Sequence, residues 1–86
     1  MSAEEIKQLV LNVAVESARN GPGWSQEGVV IREVGNRLAR QGRRPDIPTQ
    51  QAVLDAWHDL FIEKKLAWGF DLDNPNSPFF HVREAR

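Results

Sequence analysis

The sequence predicts an α+β domain in which three helices precede a β-hairpin. Three observations carry that prediction. Apolar residues recur at helical spacing in three successive segments, the spacing switches to period two after residue 65, and turn formers separate each segment from the next. With 86 residues the chain has room for one small domain, read as 1–86. Hydrophobic residues make up 41% and charged residues 27%, which places it among globular chains and not disordered ones.

The first helix is expected over about 2–20. Ser2-Ala3-Glu4-Glu5 reads as a capping box, in which the Ser2 hydroxyl accepts from the third amide and Glu5 reaches back. Ile6, Leu9, Val10, Val13 and Ala14 then define one buried face. Asn20-Gly21-Pro22-Gly23 stops the helix, because glycine permits positive φ and proline cannot extend the ladder. The second helix is expected over about 25–41, with Val30, Ile31, Val34 and Leu38 inward and Trp24-Ser25 as a short extended entry. Gly28 and Gly35 each weaken it by roughly 1 kcal/mol against alanine.

A loop holding Pro45 and Pro48 leads to the third helix, expected over about 49–65 with Thr49 as its N-cap. Val53, Trp57, Leu60 and Phe61 build its buried face, and Leu54 flanks it. A hairpin is expected over about 66–83. Leu66, Trp68 and Phe70 alternate with smaller or polar residues, 71–77 is dense in turn formers, and Phe79–Arg83 returns with Phe80 and Val82 on one side. A lone hairpin is marginal in water, so its aromatic side (Trp68, Phe70, Phe80) must pack on the helices.

In element order and spacing the chain resembles a winged helix-turn-helix domain. The resemblance covers almost the whole chain and identifies a superfamily, with no specific member. It implies that 49–65 is the recognition helix and 66–83 the wing. The turn between the second and third helices is about seven residues, longer than the three or four of a compact helix-turn-helix, and some winged helices resemble this longer form. The resemblance implies DNA binding, although many winged helices serve as protein-contact modules.

Charge placement bears on both readings. The net charge is −1, but residues 32–44 hold five arginines against Glu33 alone, a local +4. Arginine there suits phosphate, because its planar fork binds oxygens in pairs. Arg37, Arg40, Arg43 and Arg44 are the candidate phosphate contacts. Thr49, Gln50, Gln51 and His58 are the candidate contacts from the third helix, and Gln51 and His58 suit base edges. Asp55 and Asp59 share the outward face of that helix and oppose phosphate, as do Asp71 and Asp73 in the hairpin. The expected function is non-catalytic binding of duplex DNA in a regulatory setting. The alternative is a protein–protein interaction module on the same scaffold.

The first helix carries more apolar residues than one face needs. Leu11, Val15 and Ala18 form a second stripe, which either the hairpin or chain end covers or a weak homodimer uses. An enzyme is not expected. The chain has no cysteine, so no thiolate site, cysteine nucleophile or disulfide arises. His58 and His81 are the only histidines, and no cofactor or metal is expected. Asp71–Asn76 resembles a calcium loop only superficially, since Pro75 takes the fifth position and glycine is missing from the sixth. No apolar run approaches the roughly 18 residues of a membrane span and no signal peptide opens the chain, so a cytoplasmic location without membrane contact is expected.

Overall fold

A computed structural model describes residues 2–42, 46–69, 72–73 and 79–83. The elements follow in the order α1 (Ala3–Arg19), β1 (Trp24–Gln26), α2 (Glu27–Arg40), α3 (Ile47–Ile62), β2 (Leu66–Trp68) and β3 (Phe79–Val82). The architecture is α+β, with three helices and one antiparallel sheet of order β1-β3-β2.

Local chemistry sets each boundary of α1. The Glu5 amide donates to the Ser2 hydroxyl at 3.2 Å and the Ser2 amide donates to the Glu5 carboxylate at 3.1 Å, so the capping box forms. After Arg19 the chain folds back on itself. The Gly21 and Gly23 amides both donate to the Ala18 carbonyl, at 3.2 and 3.0 Å, and Gly23 takes φ 99°. That turn delivers β1 to the sheet edge.

Residues 25 and 26 belong to β1, so α2 starts two residues later than the sequence suggests. Strand pairing decides the matter: Ser25 lies opposite Phe80 and Gln26 opposite Phe79 on β3. Gly42, at φ 73°, follows the end of α2.

The N-cap of α3 is Asp46 and not Thr49. The Asp46 carboxylate accepts the Thr49 amide at 2.8 Å, which makes Ile47 and Pro48 the first helical positions. Proline is well placed there because its missing amide would have had no helical partner. The helix also ends earlier than expected, at Ile62. Lys64 adopts φ 62°, its amide donates to Phe61 at 3.1 Å, and the Lys65 amide donates to Leu60 at 2.8 Å. This is a Schellman closure with lysine where glycine is the usual residue.

β2 and β3 pair antiparallel, with Leu66 opposite Val82 and Trp68 opposite Phe80. Phe70, Asp71 and 74–78 lie outside the described residues, as does most of the loop read between the strands. The sheet's inner face closes the core. Phe80 and Leu66 are fully buried against Val10, Val13, Val34 and Trp57. Trp57 is the centre of an aromatic cluster, edge-on to Phe80 at 5.0 Å, Phe61 at 5.0 Å and Trp68 at 6.1 Å. Trp68 stacks on Phe61 at 4.5 Å and stays 42% exposed at the rim.

Candidate functional site

α1 is the helix on which both others pack, while the described backbones of α2 and α3 stay apart. This splay leaves an apolar cleft of about 270 Å³ between them. Ile31, Gly35 and Leu38 form its α2 wall; Gln50, Val53 and Leu54 form its α3 wall. Ile31 and Leu54 are half-buried, so they still offer apolar surface. Gly35 widens the cleft. Its φ is not positive, and a Cβ built on it meets no atom within 4 Å. Among the described residues, neither backbone geometry nor packing requires glycine at this position.

Beyond the cleft, α3 turns a mixed face to solvent. Gln51, Asp55, His58 and Asp59 are exposed there, as the sequence places them. They share it with Ile47 at 69% exposure and Ile62 at 76%. Gln50 is exposed at the cleft edge. Thr49 is half-buried, with its amide held by Asp46. Thr49 in turn pulls the Asp46 carboxyl below its ordinary value, through its side chain first and its backbone amide second.

The arginine face of α2 is partly neutralised. Arg37 donates from Nη2 to Glu16 of α1 at 2.5 Å and from Nε to Glu33 at 2.9 Å. Two of its three nitrogens therefore already hold carboxylates. The Glu16 bond, then the Glu33 bond, raises its pKa, and the Arg37 bond is the main cause that holds Glu33 below its ordinary range. Arg40 is 68% exposed at its side chain and lies 3.7 Å from Glu33. Arg32 is exposed. Arg43 and Arg44 lie outside the described residues.

The second stripe on α1 does not form a continuous exposed surface. Ala18 is only 3% exposed, where the turn into β1 hydrogen-bonds back to its carbonyl. Leu11 and Val15 are half-buried, and Leu11 packs on the core. A larger groove of about 630 Å³ runs between the end of α1, β1 and α2. Part of its polar lining is paired: Arg37 with Glu16 and Glu33, and the Ser17 and Ser25 hydroxyls with each other across 2.6 Å, while Arg32 is exposed at its rim. His81 has one ring nitrogen, Nδ1, engaged by the Gly69 carbonyl. Among the described residues, no cluster of three potential metal ligands occurs and no helix is long and apolar enough to cross a membrane.

Periodicity alone assigned Ile31 and Leu38 to the core and treated Gly35 as a weakness. The signal for the cleft was present in the spacing Ile31, Gly35, Leu38, which sets a gap between two apolar residues on one helix face. What periodicity could not give is the separation of α3 from that face. No protein-family model, curated protein or solved structure matches the chain.

Proposed function

We propose that the chain is a non-catalytic domain of winged-helix type that binds another protein through the outer face of α3 and the adjoining α2–α3 cleft. One observation carries this reading: the exposed face of α3 combines Ile47 and Ile62 with Asp55 and Asp59, and an apolar cleft opens on the flank of the same helix that faces α2. Exposed aliphatic residues cost solvation and gain nothing from phosphate. Two carboxylates on the same face repel it. The element order, with one strand between the first two helices and a strand pair after the third, supports the winged-helix assignment, in which α3 is the presented helix.

A second reading, duplex DNA binding in a regulatory role, is favoured by the exposed Arg32 and Arg40 and by Gln51 and His58 on α3. Arg37 tells against it, since its Nη2 and Nε already hold Glu16 and Glu33. Fluorescence anisotropy with labelled generic duplex DNA at two salt concentrations separates the two. The protein-contact reading expects no saturable binding at low salt. Binding that falls steeply with salt, by about 0.9 in the logarithmic slope per phosphate held, would establish the DNA reading instead.

A further inference from the structure

We infer that the groove between the end of α1, β1 and α2 binds a small amphipathic monocarboxylate, with its apolar body on Trp24, Phe79 and Val29 and its carboxylate on Arg32. No residue of α3 lines this groove, so the site stands apart from the protein-contact face and is tested separately. The first ground is its size and construction. At about 630 Å³ it falls within the roughly 300–1,000 Å³ of small-molecule sites. α1 and α2 form its long walls and β1 closes one end. Gly21 sets that end. A Cβ there would come within 3.3 Å of the Trp24 carbonyl and 3.5 Å of the Ser17 carbonyl, so glycine lets the turn bring β1 close to α1.

Apolar surface left in the groove supplies the second ground. Val29 is 49% exposed on the α2 wall. Trp24 and Phe79 are half-buried at the β1 end, their ring centroids 4.1 Å apart in an edge-on contact. Rings so paired still offer a face and an edge to a third apolar group. The three residues come from α2, β1 and β3, so the fold and not helical spacing brings them to one groove.

Charge supplies the third ground and selects the ligand. The charged side chains of the lining are Glu16, Arg32, Glu33 and Arg37. Arg37 holds both carboxylates, and Arg40 lies 3.7 Å from Glu33. Arg32 has no ion-pair partner among the described residues. The lining thus presents one uncompensated cation, whose planar fork suits a carboxylate. Arg32 stands one turn after Val29 on the same helix, so a carboxylate held there sets its apolar chain over Val29. A phosphate ester suits the groove less, because its second charge meets Glu16 and Glu33. An ammonium ligand is opposed by Arg32, and both carboxylates are already engaged.

The test titrates the isotope-labelled full chain with phenylpropionate and, separately, with phenylpropionamide, at about pH 7 where the acid is ionised. Amide shifts and the Trp24 indole signal are followed, and signal dispersion reports the fold of each variant. The inference expects saturable shifts at Trp24, Val29 and Arg32. The acid should bind about two- to fivefold more tightly than the amide, the size of an exposed ion pair. Arg32→Gln, at an exposed position, should bring the acid down to the affinity of the amide. Val29→Asn should weaken both ligands alike, by about threefold, through lost apolar contact. Arg40→Gln, outside the lining, should leave the preference for the acid in place. No saturable shift at about 20 mM acid overturns the inference, since even a weak ligand of this size shows by then. Equal affinity for acid and amide, or a preference that survives Arg32→Gln, overturns it as well. So does an equal loss in Arg40→Gln, which makes net charge and not Arg32 the cause. Shifts centred on Ile31 and Leu54 place the ligand in the α2–α3 cleft and also overturn it.

Discussion

Trp57 anchors the packing of the whole core from a single position. It is fully buried, and three other aromatic rings lie edge-on to it. Truncation to alanine should cost roughly 3–5 kcal/mol, most of what a domain of this size has. Trp57→Ala should therefore lose its cooperative thermal transition, and a near-normal melt would refute the packing. The indole Nε1 adds a second, finer expectation. It is buried and finds no hydrogen-bond partner among the described residues. A buried unpaired donor costs about 1–3 kcal/mol. Trp57→Phe removes that cost while leaving a cavity, so urea unfolding should place it within about 1.5 kcal/mol of the unmodified chain. The burial of Trp57 is legible in the sequence from its shared arc with Val53 and Leu60. The unpaired nitrogen is not, because it depends on which rings surround it.

Helix ends and helix glycines set the expectations at the level of elements. Lys64 sits at φ 62°, a conformation that an L side chain adopts at a cost and glycine adopts freely. Lys64→Gly should raise the urea midpoint, corresponding to about 0.5–1 kcal/mol, and a lowered midpoint would refute the Schellman closure. Gly35→Ala should also stabilise, by about 0.5–1 kcal/mol, since its Cβ meets open space. The sequence shows the elements themselves well, because periodicity and the Ser2–Glu5 capping box report on local structure. It misplaces two starts for identifiable reasons. Ser25 and Gln26 are claimed by β3, a partner more than fifty residues away. Asp46 outcompetes Thr49 because a cap three residues ahead of Thr49 leaves Pro48 inside the first turn, where it fits.

Ion pairs tie the elements into one molecule, and their titration gives a pH profile. Arg37 joins α1 to α2 through Glu16 and Glu33, and Lys7 joins α1 to the end of α3 through Glu63 at 2.6 Å. The carboxyls of Glu33 and Asp46 titrate below their ordinary 4.5 and 3.8. Their contribution is present above those values and lost as pH falls through the lowered ones. The Glu63 hydrogen bond raises Lys7 above 10.5, so its contribution is present below that value and lost at higher pH. The melting temperature should hold a plateau between these limits and fall below about pH 4. Asp46→Asn should shrink the acid-side fall, and an identical profile would refute the cap's share. These surface pairs add little each, and the apolar core carries the fold.

The candidate site was legible only in part at this scale. The exposed carboxylates of α3 follow from helical geometry, whereas the cleft arises from how α1 holds α2 and α3 apart. The pairing of Arg37 with Glu16 is likewise a contact between elements, and it braces α1 against α2. The account's central claim is that the outer face of α3 and the cleft meet a protein and not duplex DNA. Amide chemical-shift mapping of the isotope-labelled chain, titrated with generic duplex DNA at low salt, tests it most directly. The account predicts no saturable shifts. Saturable shifts centred on Arg32, Arg40, Gln51 and His58 would contradict it.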